Sequence, residues 1–265
     1  MPTLKDHILL YDAECPLCQA YSRAFTTTHM LDDNGRAPYQ EFLPSCPLID
    51  RQRAVNEIAL IDTTTGQVSY GIDSLFKVIA HSFPILNPLF KNKPFAWTMR
   101  KLYAFISYNR KVIIPATETT NHTLQPSFNL RYRIAYLLTT VIAAGFILTH
   151  YSNLLPFPGA SYREYLVCGG QLLFQGLIIG ACHSKKRWDY LGNMMTISFV
   201  GSLLLLPALA LHASPPIATG WFLFVATLML IEHIRRTRLL HLGSTLSITW
   251  VLYRLALLIL IIRFR

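Results

Sequence analysis

His7-Ile8-Leu9-Leu10-Tyr11-Asp12-Ala13-Glu14-Cys15-Pro16-Leu17-Cys18 is the stretch on which the fold turns. Residues 7–12 are a short apolar run of the kind a buried strand presents. Residues 16–30 then place Leu17, Ala20, Tyr21, Ala24 and Phe25 on one helical face. The Cys-x-x-Cys therefore falls where a strand gives way to a helix. The first thiol meets the unsatisfied N–H groups and the positive end of the helix dipole, which favour thiolate over thiol. Pro16 suits the first helical turn, where its missing N–H costs nothing. Cys18 lies one turn on, placed to attack a mixed disulfide formed at Cys15. The expected chemistry has Cys15 as nucleophile and Cys18 as resolving thiol, their disulfide standing in place of a cofactor.

Two carboxylates accompany the pair. Asp12 ends the apolar run, and Glu14 immediately precedes Cys15. A carboxylate beside a thiolate opposes ionisation, yet it can accept a proton during resolution. The plainer reading is that both cap loop N–H groups. The cysteines also admit two other readings. One is a zinc half-site completed by Cys46 and one of His7, His29 or His81, although no second pair has metal-ligand spacing. The other is a pair of inert structural thiols.

Around this centre the first half alternates strands and helices. Residues 32–35 read as a turn and residues 39–43 as a second strand. Residues 57–62 and 67–70 read as a hairpin about 63–66. Asp73 is expected to cap a helix through Leu75, Phe76, Val78 and Ile79. Residues 84–116 mix Phe95, Trp97, Leu102, Tyr103 and Phe105 with Lys91, Lys93, Arg100 and Lys101. That stretch reads equally as a helix lying on a membrane surface and as one packed on the domain.

The composition divides the chain. It has 265 residues, a net charge of +10, 52% hydrophobic and only 14% charged residues. Its mean hydropathy is +0.34. These values exclude disorder, a coiled coil and a small disulfide scaffold. Residues 1–130 hold 12 basic and 11 acidic side chains, whereas residues 131–265 hold 12 and 3. After the polar stretch 117–126, apolar runs cover residues 134–151, 165–182, 190–212, 217–232 and 243–262. Each is near the ~20 residues that cross a bilayer. The fifth is interrupted by Arg254, for which Glu232 is a conceivable partner. Gly169, Gly170, Gly176 and Gly180 in the second run suggest close helix packing. Cys182 in the same run could relay electrons, and Cys168 lies too far along the helix to pair with it. His150, His183, His212, His233 and His241 fall near the ends of the runs.

The bases cluster as topology signals rather than as a nucleic-acid face. Arg131 and Arg133, then Lys185, Lys186 and Arg187, then Arg235, Arg236 and Arg238 fall on one side if every run crosses. That side is expected to be cytoplasmic, with the N-terminal domain on it and Arg263 and Arg265 opposite. Residues 1–12 are apolar only over 8–11, too short for a secretory signal, so the first domain is expected to stay in the cytosol.

Residues 11–18 resemble the signature of the DCC family, predicted thiol-disulfide oxidoreductases named for an Asp-Cys-x-x-Cys pattern. Thr65-Gly66-Gln67-Val68-Ser69-Tyr70-Gly71-Ile72-Asp73-Ser74-Leu75 is similar to that family's hairpin, glycine and following helix. Leu102-Tyr103-Ala104-Phe105-Ile106-Ser107-Tyr108-Asn109-Arg110 is similar to its closing segment. The resemblance covers roughly residues 5–115 and leaves out the apolar half. It implies a thioredoxin-like fold with the two cysteines as redox pair. Glu14 stands where the family usually has Asp, and Ala13 where Gly is common. Glu57 stands where thioredoxins proper carry a cis-proline before the hairpin.

The expectation is an α/β thioredoxin-like domain over residues 1–116, a linker over 117–130 and an all-α transmembrane bundle of four or five helices over 131–265. The protein would be a membrane-anchored thiol-disulfide oxidoreductase, integral to a bacterial inner membrane. Its partners would be a protein or small-molecule thiol or disulfide substrate and the lipid bilayer, with no nucleic acid. A cytosolic pair faces a reducing glutathione pool, which favours reductase or sensor over disulfide formation. The alternatives are a membrane scaffold or binding protein whose thioredoxin-like N-terminal domain only binds, and a zinc-stabilised domain.

Overall fold

A computed structural model describes residues 2–42, 49–115, 127–156 and 162–263. The chain divides into two units, Met1–Tyr132 and Arg133–Arg265, each considered by itself.

The first unit is built on a mixed four-strand sheet: β1 (His7–Tyr11), β2 (Arg36–Pro38), β3 (Ala59–Asp62) and β4 (Val68–Tyr70). The spatial order is β2-β1-β3-β4. β1 pairs parallel with β2, antiparallel with β3, and β3 pairs antiparallel with β4. A parallel pair needs a crossover, and α1 (Pro16–Thr27) supplies it. The two-residue period of the strands then sorts the core. Leu9 and Leu60 point to one face with Leu31, Ile58 and Val78, while Leu10, Ala59 and Ile61 point to the other with Tyr39, Ile49 and Ala54. Both faces are buried, which is why β1 reads as continuous apolar sequence rather than as alternation. Truncating Leu60, which is fully buried, to Ala would cost about 2–5 kcal/mol.

The expected strand over 39–43 is not there. The strand is Arg36–Pro38, and α2 (Tyr39–Phe42) follows it as a single helical turn. Pro38 is tolerated because β2 is an edge strand. Tyr39 turns inward instead, and its hydroxyl donates to Glu57 O at 3.0 Å. Residue 43 lies outside the described residues. After a short α3 (Arg51–Ala54), the hairpin β3–β4 forms as read.

α4 (Ile72–Ser82) is not capped by Asp73. Its N-cap is Gly71, at φ +61° and ψ −133°, a conformation that strains any residue with a Cβ. Asp73 sits in the first turn and pairs with Arg100 at 3.0 Å. α5 (Asn87–Lys91) and α6 (Lys93–Ile113) follow. Phe76, Phe90 and Phe95 stack, with centroids 4.4–6.3 Å apart. α6 buries Ala96, Ser107, Asn109, Arg110 and Val112, so it packs on the domain, while Trp97 and Leu102 stay exposed.

The second unit consists of α7 (Leu130–Ser152, whose first turn lies in the first unit), α8 (Arg163–Cys182), α9 (Arg187–Ala210), α10 (Pro215–Leu239) and α11 (Thr245–Arg263). All five are long and apolar enough to cross a membrane, with mean hydropathies of 1.6–2.1. The protein is a membrane protein by that measure. Tyr190, Leu191, Met194 and Met195 of α9 pack with Ile179, Leu246 and Trp250 at the centre. Leu138, Ile142, Leu173, Leu177, Ile231 and Ile259 face outward, the pattern of helices solvated by hydrocarbon.

Two expectations for this half are corrected, the partner of Arg254 and the packing at Gly169. Glu232 does not serve Arg254, because it pairs with Arg235 and Arg236 at 2.6 and 2.7 Å. Close packing holds at Gly170, where an added Cβ would strike the Tyr253 hydroxyl, but an added Cβ at Gly169 would meet nothing within 4 Å. His150, His183, His212 and His241 are exposed, whereas His233 is buried. Cys182 is exposed and Cys168 buried, both as free thiols.

Candidate functional site

The strand β1 and the helix α1 present the two cysteines as the sequence implies. Cys15 is the N-cap of α1, at φ −92° and ψ 106°, and Pro16 occupies the first turn. The Cys15 Sγ accepts the Cys18 backbone N–H at 3.3 Å. A thiol here does the work of a capping oxygen and satisfies one of the orphan donors at the helix start. Cys15 and Cys18 are 6% and 3% exposed, and they pack with Tyr11, Leu17 and Tyr21.

Their environments pull the two thiols apart. The Cys15 thiol is lowered from 9.0 to about 7. Hydrogen bonding from Cys18 does most of this, burial opposes it, and the positive charge of Arg110 assists against the opposing charge of Asp12. The Cys18 thiol moves far upward, because it donates to Cys15 and is buried; Arg110 acts in the other direction. The result is one acidic thiol and one shielded thiol one turn further along. Tyr21, half-buried beside them, is held well above its ordinary range by desolvation and by the neighbouring thiols.

Asp12 follows β1 directly and is 6% exposed. Its Oδ1 accepts the Glu14 N–H at 3.1 Å and the Gln40 Nε2 at 3.0 Å. Its Oδ2 accepts Arg110 Nη2 at 3.1 Å. Arg110 also donates to Val55 O at 3.1 Å. The Asp12 carboxylate is therefore both the cap of the loop before Cys15 and the counter-ion of a buried guanidinium. Burial opposes the Arg110 charge, but the cysteines and Asp12 hold it protonated. Glu14 is half-buried beside the pair, and its backbone rather than its carboxylate makes the contact with Asp12. Gln40 Oε1 accepts the Ala13 N–H at 3.3 Å, and Gln19 Nε2 donates to Ala13 O. These bonds fix the backbone of the loop on both sides of Ala13.

Sequence reasoning placed Cys15, Cys18, Asp12 and Glu14 together, and they are together. It missed Gln40 and the role of Arg110. Arg110 carried a signal: it lies three residues from Ser107 on one face of α6, and a base on a packed face needs a partner. For zinc, no group of three or more His, Cys, Asp or Glu near enough to share a metal exists among the described residues. Cys46, named above as a third ligand, lies outside the described residues.

No family model, curated protein or solved structure matches this chain.

Proposed function

We propose that the protein is a membrane-anchored thiol-disulfide oxidoreductase with a thioredoxin-like first domain related to the DCC family. The observation that carries this reading is the Cys15 Sγ at the start of α1, accepting the Cys18 N–H, with its pKa lowered to about 7. The mixed sheet, with Cys15 at the start of the helix that follows its first strand and Cys18 in that helix's first turn, supports the same reading.

The reaction balances as two exchanges. The Cys15 thiolate attacks one sulfur of a substrate disulfide RS–SR′. The Cys15–S–SR bond forms, and R′S⁻ leaves and takes a proton. Cys18 then loses its proton and attacks the Cys15 sulfur. RS⁻ departs, and the two electrons taken by the substrate leave a Cys15–Cys18 disulfide. A dithiol donor reverses that oxidation by the same exchanges. Once Cys15 is in the mixed disulfide its negative charge is gone, and the nearby Arg110 charge favours ionisation of Cys18 instead. The side facing the cytosol follows from the basic clusters, and a cytosolic pair works as a reductase or sensor.

Thiol alkylation of the full-length protein across a glutathione redox titration tests the proposal. Cys15 and Cys18 should become protected together, as one two-electron step, with a Cys15–Cys18 linkage in the mass spectrum. Thiols that remain alkylatable at every potential would leave only a binding domain.

A further inference from the structure

In the helical unit, two buried N–H donors beside Arg254 find no acceptor among the described residues. Arg254 stands about 14 Å along the axis from either end of α11, the depth most remote from water if the helix crosses. Its Nε donates to Gln171 Oε1 on α8 at 3.2 Å. Its Cζ lies 3.8 Å from the centroid of the Trp250 ring, whose ring in turn stacks with buried His233 at 5.1 Å. Gln171 and Trp250 are 4% and 2% exposed. Gln171 Nε2 and Trp250 Nε1 are both buried and find no hydrogen-bond acceptor among the described residues.

No acidic side chain of the unit pairs with Arg254. Residues 131–265 contain three acidic side chains, Glu164, Asp189 and Glu232. Glu164 pairs with Arg163 at 2.5 Å and Asp189 with Arg133 at 3.6 Å, while Glu232 holds Arg235 and Arg236. A buried donor left unsatisfied is destabilising, and an arginine at mid-span is costly unless it is paired. The stacking on Trp250 offsets part of this, but it satisfies neither N–H. One guanidinium, one amide and one indole donor at a single place form the donor set that an oxyanion would complete.

We infer that Arg254, Gln171 and Trp250 form a binding site for an oxyanion, a carboxylate or phosphate-like group, inside the helical unit. The inference is independent of the redox reading. The anion can arrive from the bilayer as the head of an amphiphile or from water as a small solute, and the chemistry of recognition is the same.

The test uses the full-length protein in phosphatidylcholine nanodiscs. Oleate, acetate and inorganic phosphate are titrated separately while tryptophan fluorescence is followed. Saturable quenching or enhancement is expected with at least one probe, and it should be lost in Trp250→Phe. Saturation by oleate alone assigns the bilayer source, and saturation by acetate or phosphate the aqueous one. Arg254→Gln should weaken binding at least tenfold, with Arg254→Lys recovering part of it. Gln171→Leu removes one donor and leaves the charge, and it should weaken binding several-fold even if Arg254→Gln does not fold. No saturable response to any of the three probes, or unchanged affinity in Gln171→Leu and in whichever Arg254 variants fold, overturns the site.

Discussion

Arg110 Nη2 lies 3.1 Å from Asp12 Oδ2, across 98 residues of sequence, with both side chains under 10% exposed. This pair joins the last helix of the first unit to the loop that precedes Cys15. It also sets the charge facing the thiols: the guanidinium favours the thiolates and the carboxylate opposes them. Desolvating two ions is costly, so the pair need not be a net source of stability. Breaking it is another matter, because the survivor keeps its burial and loses its partner. Arg110→Met is therefore expected to destabilise the protein by about 3–5 kcal/mol. Adding Asp12→Asn to that variant should recover part of the loss. Thermal unfolding of Arg110→Met, Asp12→Asn and the double variant in nanodiscs measures this as a coupling between the two sites, and strictly additive losses would show that the pair does not act as a unit.

The Cys15 thiol should titrate near neutrality. With its pKa lowered to about 7, Cys15 in a Cys46→Ser, Cys168→Ser, Cys182→Ser background should reach half its maximal alkylation rate near pH 7, while Cys18 stays slow throughout. The sign follows from the direction of the shift: the thiolate fraction rises with pH and is lost as pH falls through the folded value. Arg110→Gln removes an assisting charge. With that part of the shift lost, the thiolate fraction at pH 7 falls below about half and the alkylation rate falls with it. Arg110→Lys should recover most of it. A profile unchanged in Arg110→Gln would mean that Cys18 and the helix start set the pKa without Arg110.

The parts of the fold that were legible are those where local pattern and tertiary packing agree. The apolar run of β1, the Pro16 helix start and the hairpin each show a period or a turn that the structure repeats. β2 was misplaced because Arg36, Ala37 and Pro38 have no strand pattern, and only pairing with β1 makes them extended. The Asp73 cap was misread because Gly71, two residues earlier, already takes the positive-φ corner. Cys15, Cys18 and Asp12 were legible as neighbours in sequence. Gln40 and Arg110 reach the site through tertiary folding, and no local spacing announces a contact made across 28 or 98 residues.

The charge pattern makes a prediction about sidedness that exposed Cys182 can report. Cys182 closes α8 next to Lys185, Lys186 and Arg187, so it should lie on the cytoplasmic side. In intact cells a membrane-permeant maleimide should label it, and an impermeant one should not. Ser214→Cys, placed between α9 and α10, should be labelled by both reagents. Impermeant labelling of Cys182 would invert the topology and put the N-terminal unit outside, where disulfide formation would be the favoured direction.

The two thiols should differ in what they trap. Cys15 caps the helix and carries the lowered pKa, so it attacks first; Cys18 is more deeply buried and its thiol is pushed far upward, so it waits. Cys18→Ser leaves the attacking thiolate in place and removes the group that would release the substrate, and a mixed disulfide should accumulate. The same variant loses the Cys18 thiol hydrogen bond, the largest cause of the Cys15 shift. Its trapping should therefore be slower below pH 8 than the wild-type attack, yet persistent. Cys15→Ser removes the attacking thiol and leaves one whose ionisation is suppressed, so it should trap nothing at neutral pH. Non-reducing gels after incubation with a peptide disulfide, followed by mass spectrometry of the adduct, separate these outcomes. Adducts on Cys15→Ser alone would exchange the two roles. Adducts on neither variant, with both folded, would mean that the buried pair does not meet a disulfide at all.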